Sequence, residues 1–164
     1  MSYDLNVLVL NQENASVLPF ASEIQIVDEF QEILRYKEIW KYMTETRGVW
    51  YLLGIEEGGW FNAMSIIDAD FNACLESRQM PYWVSDEDVK SNLNPLIAQE
   101  KYRHDFEKIL SFLIQESPSK SIMFLARYQG GETEIICGVM KYLEFKKLLD
   151  ERKILFNVCY IISE

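Results

Sequence analysis

The stretch Val49–Ile67, "VWYLLGIEEGGWFNAMSII", decides the fold. Two runs rich in β-branched and aromatic residues flank Glu56-Glu57-Gly58-Gly59, and adjacent glycines supply the positive φ angles of a tight hairpin turn. A hairpin imposes an antiparallel pair. Ser121–Val139, "SIMFLARYQGGETEIICGV", repeats the scheme with Gly130-Gly131 at its centre and predicts a second hairpin. Helical periodicity fills the rest, so the chain reads as α+β.

Upstream, Tyr3–Leu10 ("YDLNVLVL") alternates and then turns continuously apolar, which suits a first strand with at least one buried face. "ENASVLPFAS" reads as loop. From Asp28 the apolar residues Phe30, Ile33, Leu34, Tyr36 and Trp40 fall near one helical face, and Gly48 supplies the stop. Downstream, Ser85 with Asp88 forms a candidate capping box for a short helix that Pro95 ends. Beyond Leu96, the residues Tyr102, Phe106, Ile109, Leu110 and Leu113 make an apolar stripe opposite Lys101, Arg103, Asp105 and Lys108, up to Ser117-Pro118. Tyr142, Phe145, Leu148 and Leu149 give a further short helix. The nearly unbroken apolar run "ILFNVCYII" closes the chain as a strand central in its sheet. The expected order is β-α-ββ-αα-ββ-α-β: a single domain over residues 1–164, with a mostly antiparallel or mixed sheet of about six strands and three or four helices packed against it.

Composition agrees with one folded unit. The 164 residues are 49% hydrophobic, enough for one core. The N-terminal "MSYDLNVLVLNQEN" has no basic region before its apolar run, so it does not read as a signal peptide, and no apolar run reaches membrane-spanning length. A soluble, cytoplasmic protein is expected. Cys74, Cys137 and Cys159 form no C-x-x-C pair, and as thiols they read as small buried hydrophobes.

The net charge of −10 is uneven. Residues 1–60 hold ten acids and four bases, residues 61–118 ten and five, and residues 119–164 six and seven. The excess lies in the first two-thirds. Such a field repels phosphate backbones, which argues against nucleic acid as a partner, and it accelerates encounter with a basic one.

Candidate chemistry is sparse. Asp68-Ala69-Asp70 follows a strand-like run, and two carboxylates spaced i, i+2 are a fragment of a Mg²⁺ or Mn²⁺ site; no third ligand and no phosphate loop accompanies them. Asp70 reads instead as an N-cap before "FNACLES". His104, the sole histidine, sits in "EKYRHDFEK" away from the apolar stripe, with no nucleophile context. Both glycine pairs fall at hairpin turns and not between a strand and a helix, so they make no phosphate cradle. No catalytic, cofactor-binding or metal residue is assigned.

What remains is a binding surface. Glu56, Glu57 and Trp60 on the first hairpin join Asp68, Asp70, Glu76, Tyr82, Trp83, Asp86, Glu87 and Asp88 in and around "SIIDADFNACLESRQMPYWVSDEDV" (Ser65–Val89). Carboxylates steer a basic partner, and large aromatics anchor interfaces. Exposure of Tyr82 and Trp83 decides between that reading and a core one.

The segment Gly130–Ser163, "GGETEIICGVMKYLEFKKLLDERKILFNVCYIIS", together with the small acidic α+β architecture, resembles the immunity proteins of bacterial contact-dependent inhibition and other polymorphic toxin systems. The resemblance implies stoichiometric neutralisation of one cognate toxin domain, commonly a basic nuclease, by a protein without cofactor, metal or catalytic residues and with no membrane role. The acidic surface would then imitate the polyanion that the toxin holds. Two alternatives stay open: a small metal-dependent enzyme using Asp68 and Asp70 on a phosphorylated or sugar substrate, and a regulatory or phage adaptor.

Overall fold

In the computed structural model, which describes residues 3–28, 44–74, 78, 80–128 and 135–164, the central strand is β1 (Tyr3–Leu10). Its alternation sends Leu5, Val7 and Val9 to one face and Leu8 to the other, and all four are buried. On one side β1 pairs with β3 (Gly48–Glu57), which carries β2 (Gln25–Asp28) along its other edge. The first hairpin forms as expected: β3 turns into β4 (Trp60–Asn62) through Gly58 and Gly59, whose φ angles of 58° and 83° leave a two-residue turn. Gly54 is required for a different reason, because a Cβ there would lie 2.7 Å from the Phe61 ring and 2.9 Å from the Asn62 carbonyl.

A small two-stranded sheet comes next, β5 (Ile67–Ala69) with β6 (Leu96–Ala98), and α1 (Glu87–Ser91) lies between its strands in sequence. The chain continues through α2 (Glu100–Glu116), β7 (Ser121–Tyr128), β8 (Ile136–Lys141), α3 (Tyr142–Asp150) and β9 (Cys159–Ser163). The main sheet runs β2-β3-β1-β7-β9-β8, with β4 attached to β3. All pairs are antiparallel except β8 with β9. The architecture is α+β with a mixed sheet.

Tyr102, Phe106, Ile109, Leu110 and Leu113 of α2 are buried against one face of the sheet, as their stripe predicts, and so are Phe145 and Leu149 of α3. Phe124 on β7 is the centre of this layer, edge-on to Phe106 and Phe145 at ring separations of 6.1 and 5.0 Å. On the opposite face Leu8, Trp50, Met123, Leu125 and Cys159 are also buried together. The strands β1, β3 and β7 are therefore covered on both sides.

Several expectations need correction. The described residues hold nine strands, where about six were expected, because the short strands β2, β5 and β6 are too brief for periodicity to mark them. The second hairpin does not form: β9 lies between β7 and β8. Gly130-Gly131 lies outside the described residues, and β8, α3 and β9 beyond it form a parallel crossover. A glycine turn says that the chain bends, not which strand it pairs with next. β9 is inside the sheet as expected, but its ladder begins only at Cys159. Asp28 is the last residue of β2, and the helix expected beyond it, with Phe30, Ile33, Leu34, Tyr36 and Trp40, lies outside the described residues. Cys159 is buried and Cys137 half-buried, whereas Cys74 is exposed, against the expectation for all three.

Candidate functional site

The predicted site residues, Glu76 aside, gather at one end of the main sheet. Tyr3 faces Tyr128 across β1 and β7, β3 runs past Leu53 to Glu57 at that same end, and β9 begins there. The β5-β6 sheet packs over this end: Leu96 N–H donates to Ile154, Phe156 N–H donates to Asn94, and Pro95 bridges to Leu155. The two strand-borne groups of acids, on the first hairpin and on β5, are thereby brought to one end of the sheet, and the segment after β5 carries the rest.

On the hairpin, Glu56, Glu57 and Trp60 are exposed, Trp60 to 78%. Glu57 accepts from the Ser65 hydroxyl at 2.8 Å. A hydrogen bond and the charge of the Tyr102 side chain, followed by the charges of Glu23 and, least, Glu57, raise the pKa of Lys101.

On β5, the Asp68 carboxylate accepts from the Tyr3 hydroxyl at 3.0 Å and from the Ala69 N–H at 2.8 Å. Burial, reinforced by this bond and the Asp68 charge, pushes the Tyr3 phenol up. Asp70 accepts from Asn72 N–H at 3.2 Å, an Asx turn and not the helix cap expected. Among the described residues no group of three His, Cys, Asp or Glu side chains is placed to hold a metal ion.

Tyr82 and Trp83 are the central residues of a turn closed by Val84 N–H donating to the Pro81 carbonyl at 3.0 Å. Met80 and Val84 on either side pack on the core, so the corner itself is pushed outward. Tyr82 is 98% exposed and Trp83 49%. The open question from the sequence is settled for both: they face solvent. Just beyond, Asp86 caps α1, one carboxylate oxygen accepting from Asp88 N–H at 2.9 Å and Val89 N–H at 3.2 Å. The cap is thus Asp86 and not Ser85, since the shorter reach to two early amides falls to the residue directly before Glu87. Glu87 pairs with Lys90 at 3.0 Å, and Asp88 is exposed. Glu76 lies outside the described residues.

Three further residues of this region were not among those predicted. Phe71, 51% exposed, leans edge-on to the Tyr128 ring, and Met64 is also exposed, so the apolar area is larger than the three aromatics suggest. Arg78 binds four backbone carbonyls. A base isolated in the acid-rich run Asp68–Asp88 was the one available hint.

The opposite end of the sheet is chemically different. A cavity of about 740 Å³ opens there between Asn11–Ser16, Arg47 and Glu116–Ser119. Its lining residues Gln12, Ser16 and Glu116 belong to a hydrogen-bonded group: Tyr51 donates to Gln12, Gln12 to Ser16, and the Ser16 amide back to the Tyr51 hydroxyl, while the Ser16 hydroxyl donates to Glu116. Every one of these groups is engaged within the chain. His104 is exposed on α2, far in sequence from any nucleophile context.

No protein-family model, curated protein or solved structure matches this chain. Among the described residues no helix is long and apolar enough to cross a membrane.

Proposed function

We propose that this chain is a stoichiometric protein inhibitor of the immunity-protein kind, which binds one basic toxin domain through the acidic and aromatic end of its sheet. The observation that carries the reading is the exposure of Tyr82, Trp83 and Trp60 beside carboxylates on β3, β5 and α1. Solvent-facing aromatics of this size, with steering charge around them, are the composition of an interface whose anchors enter pockets on a partner. On this reading the protein acts in the cytoplasm, needs no cofactor, and covers a groove in which the toxin, a nuclease by the resemblance, holds a polyanion.

The metal-dependent alternative draws less support, because the Asp68 and Asp70 carboxylates are already occupied by Tyr3, Ala69 and Asn72. Calorimetry with Mg²⁺ and Mn²⁺ on the wild type and Asp70→Asn should give no specific heat of binding. For the inhibitor, co-expression with a basic polypeptide encoded immediately upstream should yield a tight, salt-sensitive complex. Failure to bind at low ionic strength would sink the proposal.

A further inference from the structure

Arg78 stands in the connection between β5 and α1, and its guanidinium reaches the backbone on both sides of the exposed turn. Nη2 donates to the Ala73 carbonyl at 3.0 Å, while Nη1 lies 3.3, 3.4 and 3.3 Å from the carbonyls of Lys90, Ser91 and Leu93. In a chain with 26 acids and 16 bases, this cation is turned toward carbonyls and, among the described residues, toward no carboxylate. Its Nε is buried with no hydrogen-bond partner among the described residues. A half-buried cation whose Nε donor is unmet is a poor source of stability. What the fork provides is spacing: it ties the chain before the Tyr82–Trp83 turn to the end of α1 after it.

The far side of that tie is itself fastened to the core. The Tyr128 hydroxyl donates to the Asn92 carbonyl and accepts from the Asn94 amide at 2.8 Å, and Asn157 donates to the same Asn92 carbonyl at 3.4 Å. Asn94, Tyr128 and Asn157 are buried. Residues 90–94 are therefore a fixed base, and Arg78 is the link from that base to the chain that leads into the aromatic turn.

We propose that Arg78 is a positioning residue for partner binding: it holds the Tyr82–Trp83 turn and the Asp86 start of α1 as one preformed docking element. This rests on the reading of the acidic end as the binding surface. A turn held before encounter loses little freedom on binding, so the benefit falls on the lifetime of the complex more than on its rate of formation. Lysine cannot substitute, because a point charge on a flexible stem does not span carbonyls on two sides as a planar fork does.

The test compares the wild type with Arg78→Met and Arg78→Lys in the full chain. In both variants, amide hydrogen exchange at Val84, Val89 and Leu93 should accelerate by about tenfold or more while the amides of β1 and β7 keep their protection, the pattern of local opening. Dissociation from the basic polypeptide encoded immediately upstream should speed up by about tenfold, with association changed less than about twofold. If Arg78→Met does not fold, Arg78→Lys carries the same test. Unchanged exchange at those amides, an equal acceleration across β1 and β7, or faster local exchange without faster dissociation would each overturn the proposal. Failure of the wild type itself to bind, with local exchange still accelerated in the variants, would instead overturn the inhibitor reading and leave the clamp in place.

Discussion

Trp50 and Trp60 stand ten residues apart on one hairpin, and they end in opposite surroundings: Trp50 is 1% exposed and Trp60 78%. Trp50 sits where β3 is flanked by β1 and covered on both faces, beside Leu8 and Met123. Trp60 sits on β4, a three-residue strand beyond the glycine turn at the end of the sheet. The same residue type in the same kind of β-rich run is a core member at the centre and a free surface group at the end. What separates them is the number of elements stacked around the strand, and that is a property of topology.

The centre should respond to substitution where the end does not. Phe124→Ala should have the largest effect, a loss of about 3–5 kcal/mol in chemical denaturation, because the ring is fully buried between Phe106 and Phe145 and its removal leaves a cavity. Tyr82→Ala should stay within about 0.5 kcal/mol of wild type in the same assay, since its ring touches mostly water. Equal losses at the two positions would break the comparison.

Alkaline titration probes the same division. Burial raises the pKa of the phenols of Tyr160, Tyr142, Tyr51 and Tyr128 above the usual tyrosine range. In the unfolded chain these groups lose their protons near pH 10, while the folded state retains them. Their contribution to stability is thus complete below about pH 10 and declines as pH rises through the folded values. Thermal denaturation should show a Tm that is flat on the neutral side and falls above about pH 10. A Tm that holds steady well above that pH would show that the centre is less closed than its burial implies.

At the end of the sheet the readout changes from folding to binding. If the chain is the inhibitor proposed, Trp83→Ala and Tyr82→Ala should each weaken its complex with a basic partner by about 2 kcal/mol, the scale of an aromatic anchor, mainly through faster dissociation. Gly54→Ala joins the two regions: the new Cβ would meet the Phe61 ring and the Asn62 carbonyl, with an expected cost of about 1–3 kcal/mol in unfolding. Because β4 must shift to admit it, the environment of Trp60 should change in its fluorescence as well.

Much of the centre was legible in the sequence. The α2 stripe, the α3 stripe, the first strand and the first hairpin all arise from periodicities that extend over several turns or pairs. Strand order was not legible, since Gly130-Gly131 and the run after it fit a hairpin as well as the crossover that forms. The candidate site was legible only as charge and residue type. Residues 78–86 obey no period from which a facing direction could be read: Met80 and Val84 turn inward, Tyr82 and Trp83 outward, and the difference depends on one turn bond from Val84 to Pro81. Arg78 escaped notice for a related reason, because its acceptors are backbone carbonyls, which have no sequence signature.

Asp86 offers the finest separation of the two kinds of role, because a single carboxylate serves both. It caps α1 through Asp88 and Val89, and it adds to the charge that would steer a basic partner. Asn caps as well as Asp but carries no charge. Asp86→Asn should therefore keep stability within about 0.5 kcal/mol while slowing association a few-fold at low salt, a difference that fades as ionic strength rises. Asp86→Ala removes both functions and should cost about 1 kcal/mol in unfolding as well, read as faster exchange at the Asp88 and Val89 amides. If the two variants slow association equally and only the alanine frays α1, charge and geometry at this end act as separable contributions. If asparagine alone restores the association rate, the carboxylate matters there for the shape it imposes on the helix start, and the surface recognises its partner by form before charge.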